Sequence, residues 1–262
     1  MDTAAKVIAW KKEPKLKNPL LITAFEGWND GGQAPTTTVN RLISEFEGEK
    51  FAEMDPEPFY IFSENRPTVK WADEHTRVIS WQKNDFYHVR LPGLEQDLVI
   101  FKGVEPNLNW RTYCENLLSV ASFYNINQVV TLGAYLADVL YTLPVQVNGF
   151  SSDPAVQEKY KLERSNYEGP TGIVGVLGDF AKKAGLSTIS LWAAVPYYIS
   201  IPNPKAVHAL LSKLKLVLSF DMDLSSLEKD ADNFDNEIND VVAKDPNVAA
   251  YVRELKKREF LN

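Results

Sequence analysis

Residues 19–46 read PLLITAFEGWNDGGQAPTTTVNRLISEF, and this stretch decides the fold class. Its first part, 19–25, is a short apolar run between a proline and a glycine, which is typical of a buried strand. Glycines interrupt the chain in 26–32, and apolar residues then recur at helical spacing over 33–46. The stretch therefore predicts one unit made of a strand, a glycine-rich turn and a helix.

The same alternation of strands and helices continues through most of the chain. The apolar patterns predict a short strand near 7–10, buried strands over 58–62, 97–101, 129–132 and 189–195, and a hairpin over 77–91 that turns at 83–85. Helices are predicted over 109–124, 170–185 and 205–218, while 144–169 is rich in turn residues. Strands that alternate with helices of this length predict an α/β fold with a mainly parallel central sheet.

The C-terminal segment has a different composition. From Ser225 onward there is one proline, no glycine and a high density of acidic residues, and Ser225 with Glu228 matches a capping box. Apolar residues at helical spacing, interrupted at Pro246, predict two helices. We expect an α/β core domain over 1–220 and a helical extension over 221–262.

Composition excludes several classes of protein. The 262 residues carry a net charge of -7, which argues against a general nucleic-acid binder. No apolar run approaches the length of a membrane span, and residues 1–18 contain no apolar stretch of signal-peptide length. Cys114 is the only cysteine and the three histidines are far apart, so we expect no disulfide, no zinc site, no cofactor and a cytoplasmic location.

Three loops are candidates for chemistry, because ligands of open α/β sheets bind beyond the carboxyl ends of the strands. They are residues 26–32, 103–107 and 133–138, and a parallel sheet would bring them to one edge. The candidate ligand-binding residues in them are Gly27, Trp28, Asn29, Asp30, Gly31, Glu105, Asn107 and Asp138.

Each of these loops allows a second interpretation. The glycines of 26–32 could free backbone N–H groups to cradle an anion, or they could permit a turn that Asn29 and Asp30 cap. The carboxylates could be acid–base groups or Mg²⁺ ligands, or they could be solvated loop residues. None of the three loops contains Lys or Arg, and no Gly-x-Ser-x-Gly elbow exists, so no catalytic residue is predicted.

Five blocks of sequence resemble the proteasome assembly chaperone 2 family. They occur in the family's order and span most of the chain, and residues 241–255 also look like the tail of bacterial members. The blocks are 27–32 (GWNDGG), 103–107 (GVEPN) followed by Trp110, 132–138 (LGAYLAD), 167–177 (YEGPTGIVGVL) and 191–199 (LWAAVPYYI), which runs on through 202–206.

The resemblance implies a three-layer α/β/α sandwich of the phosphorylase/hydrolase-like kind, built around a mixed, mostly parallel sheet. Some members of the family chaperone proteasome assembly, and others are bacterial proteins that are sometimes described as ATP-grasp carboligases. The family has no agreed catalytic residues. We therefore expect a non-catalytic assembly or partner-binding protein, with a small-molecule or nucleotide-binding enzyme of the ATP-dependent carboligase type as the alternative.

This chain departs from the family pattern where a titrating group would stand. Asn107 replaces a usual Asp, residues 140–142 replace a Pro-His-Thr stretch, and Tyr197 replaces a usual His. These departures weaken an acid–base mechanism.

The resemblance also implies a homo-oligomer, most simply a trimer, with a possible protein partner and with neither nucleic acid nor membrane. Aromatic residues crowd 59–87 and 197–198, where they could form an interface or fill the core. Archaeal proteasome-binding relatives dock through a C-terminal hydrophobic-Tyr-any-residue tail. Here Leu261 stands at the position of that Tyr, so we predict no docking by this route.

Overall fold

An eight-stranded sheet and a separate two-stranded hairpin form the β-structure of this computed structural model, which describes residues 7–259. In chain order the strands are β1 (Ile8–Trp10), β2 (Leu20–Glu26), β3 (Glu49–Met54), β4 (Thr68–Trp71), β5 (Arg77–Ser80), β6 (Asp85–Arg90), β7 (Asp97–Val104), β8 (Gln128–Ala137), β9 (Val147–Ser151) and β10 (Ser187–Pro196). The large sheet has the order β1-β3-β6-β7-β2-β8-β10-β9.

The centre of this sheet is parallel, as predicted. Strands β7, β2, β8 and β10 are parallel neighbours, whereas β1, β3 and β6 on one side and β9 on the other are antiparallel. Residues 20–25 of β2 are buried on both faces, which explains why they read as a continuous apolar run.

Helices cover both faces of the sheet. They are α1 (Ala34–Glu45), α2 (Trp110–Phe123), α3 (Pro154–Lys159), α4 (Ile173–Lys183), α5 (Pro204–Leu218), α6 (Ser225–Lys244) and α7 (Pro246–Glu259). Buried residues of α1 and α5 pack on one face of the sheet, and those of α2 and α4 pack on the other. The expected α/β/α sandwich with a mixed, mostly parallel sheet is confirmed.

The last two helices share a third apolar cluster. Phe234 and Ile238 of α6 pack with Val252 and Leu255 of α7 against the segment that follows β8. Helix α6 also lies against α5. The Ser225 capping box does not form, because Leu224 is the N-cap residue of α6 and the Ser225 hydroxyl donates to Asp223.

Two predicted strand assignments are wrong. Residues 77–80 and 85–90 do not pair with each other, because β5 pairs with β4 while β6 lies between β3 and β7 in the large sheet. Residues 58–62 form turns, although Phe59 and Tyr60 are buried. The Tyr60 hydroxyl lies 2.8 Å from the Asn84 side-chain oxygen and donates to the Val104 carbonyl at 2.7 Å, which holds this loop against the core.

Strands β3 and β9 and the short helix α3 carry weak sequence signals. Strand β3 has charged, exposed or half-buried residues at Glu49, Lys50 and Glu53, and its buried residues do not alternate regularly. Strand β9 and helix α3 lie in the segment rich in turn residues. Within residues 7–259, no helix combines the length and the apolar character needed to cross a bilayer.

The close packing of β8 against β10 predicts a sensitive glycine. A methyl group at Gly133 would come 2.7 Å from Cδ2 of the Trp192 ring, which belongs to the residue paired with Gly133 across the sheet. We expect Gly133→Ala to lower the free energy of unfolding by about 1–3 kcal/mol, because the indole must leave its position. Chemical denaturation measures this change.

Gly178→Ala is the matched control. Gly178 lies inside α4, and a methyl group there meets no atom within 4 Å. This substitution should stabilise the chain by up to ~1 kcal/mol, since alanine favours helix more than glycine does. A loss of stability in Gly178→Ala as large as that in Gly133→Ala would contradict the packing argument.

Candidate functional site

Glu105 lies at the centre of the predicted site, directly after β7. Its carboxylate accepts three hydrogen bonds: Oε1 from the Ile173 backbone N–H at 2.8 Å and the Asn29 amide at 3.1 Å, and Oε2 from the Trp28 N–H at 3.2 Å. Its own N–H donates to the Glu26 carbonyl at 2.8 Å. Glu105 thus joins the loop after β2 to the first turn of α4.

This carboxylate also caps α4. The N-cap residue of α4 is Gly172, which has no side chain to accept a hydrogen bond, so Glu105 accepts from the first N–H of the helix instead. A negative charge is favourable there because of the helix dipole. A Cβ at Gly172 would lie 2.7 Å from Cγ of Asn29, so only glycine allows this approach. The carboxylate occupies the place that an anionic ligand would take.

Asn29 connects the loop that follows β2 with Glu105 and with strand β8, which extends to Ala137 and so contains most of the predicted loop 133–138. Its side chain is buried and donates to Glu105, and its carbonyl accepts from the Ala134 N–H at 2.8 Å. The side-chain oxygen of Asn29 is buried without a hydrogen-bond partner among the described residues. Asn29, from the predicted loop 26–32, therefore contacts both of the other predicted segments, 103–107 and 133–138.

Asp30 faces α1 rather than Glu105. Its two carboxylate oxygens accept from the Thr36 N–H at 3.1 Å and from the Thr36 hydroxyl at 2.7 Å, so Asp30 caps the first turn of this helix. Burial raises the pKa of the Asp30 carboxyl to about 6, although the hydrogen bonds from Thr36 lower it. This geometry is the one expected if Asp30 caps the helix that follows the loop, and not the one expected of an anion cradle.

Gly27 and Gly31 of the same loop allow a backbone conformation and a close approach that a side chain would prevent. Gly27 has a φ of 124°, which side chains rarely adopt, and a Cβ at Gly31 would lie 2.9 Å from a methyl group of Val195 and 3.1 Å from the Ala134 carbonyl oxygen. Gly31 therefore lets the loop lie against the ends of β8 and β10.

Asn107 and Asp138 lie apart from this cluster. The Asn107 side-chain oxygen accepts from the Ile61 N–H at 3.0 Å and the Asn65 amide at 2.7 Å, so it holds the loop over 58–66. Asp138 is exposed near α7, where burial first and the Asp138 carboxylate second raise the pKa of Tyr251. The structure brings together Trp28, Asn29 and Glu105, but not all eight predicted residues.

Three large apolar side chains are exposed at this sheet edge, beside exposed carboxylates such as Glu26 and Asp138. Trp28, Leu136 and Tyr197 stand at the ends of the neighbouring strands β2, β8 and β10, and they are 64%, 60% and 47% exposed. We call these three residues the edge patch. Sequence reasoning named Trp28 only as a ligand contact and missed Leu136, although its position at the end of a buried strand was a usable signal.

The cavities do not coincide with the Glu105 cluster. One of about 230 Å³ is lined by Asp30, Gly32 and the edge-patch residues Leu136 and Tyr197. Another, of about 440 Å³, lies between α1, α5 and α6. Within residues 7–259, no three His, Cys, Asp or Glu side chains are grouped closely enough to hold a metal ion. Burial raises the pKa of the Cys114 thiol to about 12, which makes it a poor nucleophile.

Replacing Glu105 tests its role in holding the loops. Glu105→Gln leaves one carbonyl oxygen for three N–H donors and removes the charge at the start of α4, so we expect the free energy of unfolding to fall by about 1–3 kcal/mol. Glu115→Gln, on the exposed side of α2, is the control and should change stability by less than ~0.5 kcal/mol. Equal effects of the two substitutions in urea denaturation would contradict this role.

Asp30 predicts a specific pH dependence. Its pKa in the folded chain, about 6, lies above the ordinary value of 3.8, so the folded state binds the proton more tightly. Stability from this group should therefore increase as the pH falls through 6 toward 4, and should be lost as the pH rises through 6. From pH ~7.5 to ~4.5 the wild type should gain about 2 kcal/mol over Asp30→Asn.

Denaturation curves of both proteins at several pH values measure this difference. The exposed Asp240→Asn is the control, and it should follow the wild type throughout. If the wild type and Asp30→Asn keep a constant difference across this range, the raised pKa is wrong.

Comparison with known proteins places this architecture in a family. The PAC2 family model matches residues 24–242. A PAC2 family protein from Streptomyces avermitilis is 43% identical with a TM-score of 0.82. A Mycobacterium tuberculosis proteasome-assembly chaperone homologue is 40% identical with a TM-score of 0.81. Each similarity covers 89% of this chain and 99% of the other.

A more distant structure shares the fold. Pyrococcus furiosus PbaB, an archaeal proteasome activator, is 23% identical with a TM-score of 0.73, over 89% of this chain and 97% of PbaB. None of the curated proteins that were compared matches this chain. Since the family model spans most of the sequence and two solved members are at least 40% identical over nearly their whole length, the chain belongs to the PAC2 family.

Proposed function

We propose that this chain is a non-catalytic, cytoplasmic assembly protein that forms a homo-oligomer, a trimer in the simplest case, and binds a protein partner through the edge patch. One observation carries the proposal. The Glu105 and Asp30 carboxylates at the sheet edge accept hydrogen bonds from other groups of the chain, whereas the large apolar side chains of the edge patch are exposed.

Two carboxylates at this edge already have partners within the chain, whereas the buried side-chain oxygen of Asn29 has none among the described residues. Glu105 holds Trp28, Asn29 and Ile173, and Asp30 holds Thr36. Lys102 lies 3.4 Å from Glu26, with which it forms an ion pair. A carboligase needs cations that are available to phosphate groups. The arrangement therefore favours the assembly role over the enzyme alternative.

The edge patch has the properties of a docking surface. Tryptophan and tyrosine are enriched in the centres of protein interfaces, and large apolar side chains that are exposed side by side usually mark an interaction site. The three residues stand on adjacent strands of a rigid sheet, which limits the conformational entropy that binding would cost.

Proteasome subunits are the partner that we propose, because the Mycobacterium tuberculosis relative at 40% identity is described as a proteasome-assembly chaperone homologue. The C-terminal tail is not expected to provide the contact. Its residues 260–262, which include Leu261 at the position of the expected tyrosine, lie outside the described part of the chain. We therefore assign this partner to the edge patch.

Assembly can be measured directly. Co-expression with the proteasome subunits of Mycobacterium tuberculosis should increase the yield of assembled particle on native gels. Trp28→Ser and Leu136→Ser should reduce this effect severalfold, because each removes a large apolar contact. Leu216→Ser is the control, since Leu216 is 57% exposed on α5, away from the edge patch.

Two measurements on the wild type distinguish between the proposed functions. No effect of the wild type on particle yield would contradict the proteasome partner. A rise in melting temperature on addition of ATP with Mg²⁺ would support the carboligase alternative instead.

A further inference from the structure

Residues 66–83 form an arm that stands away from the body of the protein. Every residue from 68 to 79, which includes β4 and most of β5, is exposed. The arm is attached at its base, where the Gln82 amide donates to the Asn65 carbonyl at 2.7 Å and the ring of Trp81 lies 4.7 Å from that of Phe62. An isolated two-stranded hairpin is at best marginally stable in water, so the arm needs a surface to cover it.

One face of this arm is apolar. The register pairs Val69 with Ile79 and Trp71 with Arg77, and alternate residues of a strand lie on the same face, so these four side chains share one face. Val69, Ile79 and Trp71 are 58%, 61% and 61% exposed. The Arg77 guanidinium lies 4.3 Å above the Trp71 ring. Tryptophan and arginine are the side chains most often found in interface hot spots.

The charge of the arm differs from that of the rest of the chain. Residues 66–83 contain four basic and two acidic residues, a net charge of +2, whereas the whole chain has -7 and the remainder therefore has -9. A surface that covers the arm should accordingly be acidic and partly apolar.

The cavity of about 440 Å³ between α1, α5 and α6 has these two properties, and we call it the helix cleft. Ile201, Pro202 and Phe234 contribute apolar surface, and Asp230 and Glu237 contribute carboxylates. A volume in this range can hold a bulky side chain.

The electrostatics of the helix cleft favour a cation. Arg41 lies 3.2 Å from Asp230, so the positive charge within the cleft is already paired. Within residues 7–259, Glu237 takes part in no ion pair and is exposed at the cleft. An arginine that enters the cleft would find this carboxylate available.

The positions of the arm and the cleft favour contact between two copies. Phe62 at the base of the arm packs with the α2 and α4 side of the sheet. The helix cleft lies on the α1 and α5 side. An element on one side that fits a site on the other gives a head-to-tail contact, and such contacts close into rings when the rotation permits.

We propose that the arm of one copy docks in the helix cleft of a second copy, with Trp71 and Ile79 in the cavity and Arg77 beside Glu237. This inference rests on the homo-oligomer of the proposed function and names the contact that builds it.

Light scattering after size exclusion tests the proposal on the full chain at micromolar concentration. The wild type should have the mass of a closed oligomer. Trp71→Ser and Arg77→Glu should each weaken the association by about tenfold or more. The first removes a large apolar side chain from the cleft, and the second reverses the charge beside Glu237. Both positions are exposed, and circular dichroism should show that the fold is retained.

A charge exchange tests the pairing of the two surfaces. Arg77→Glu combined with Glu237→Arg should restore the oligomer that each single substitution weakens. Lys70→Glu is the matched control, because Lys70 carries the same charge on the opposite face of the same arm, and this variant should keep the wild-type mass.

Each outcome has a separate meaning. A monomeric wild type would overturn both the proposed homo-oligomer and this contact. A wild-type oligomer that Trp71→Ser and Arg77→Glu leave unchanged would overturn the contact alone. Dissociation of Arg77→Glu without rescue by the exchanged pair would overturn the assignment of the helix cleft as the docking site.

Discussion

The carboxylate of Glu105 is the interaction on which the architecture of this sheet edge depends. It accepts from Trp28, Asn29 and Ile173, which belong to two segments far apart in sequence. A carboxylate that accepts several N–H donors stabilises its surroundings more than neutral pairs do, because the hydrogen bonds are charge-assisted. The close approach that it requires explains why Gly172 can carry no side chain.

This arrangement changes what the fold can do. In open α/β sheets the carboxyl edge and a helix N-terminus usually receive an anionic ligand. Here the chain supplies the anion itself, and the first N–H of α4 already donates to Glu105. The same α/β/α architecture can therefore present a surface instead of a ligand site, which agrees with the general rule that function depends on the site and not on the fold.

The two apolar surfaces of the chain differ in a way that suits two tasks. The edge patch stands on adjacent strands of the central sheet, so its residues are held in fixed positions. The arm is a basic hairpin on an acidic chain, and it is attached to the body only at its base. A rigid patch is suited to a partner, and a projecting arm is suited to a neighbouring copy. Asn107 holds the loop from which the arm begins.

Sequence by itself determined the central part of the fold. The runs that became β2, β7, β8 and β10 could be identified because parallel strands buried on both faces are continuously apolar. Helices α1 and α5 could be identified because one face of each is apolar at helical spacing. These are local patterns, and they do not depend on which segments meet in space.

Only the tertiary structure decided the pairing of the hairpin and the role of Glu105. Periodicity shows that residues 77–80 are extended but not which strand they join, so the partner of β5 could not be predicted. Glu105 and Ile173 are 68 residues apart, and a bond from a side chain to a distant backbone N–H leaves no periodic pattern in the sequence. Likewise Trp71 and Phe59 are both aromatic in sequence, and only their surroundings in the folded chain make one 61% exposed and the other fully buried.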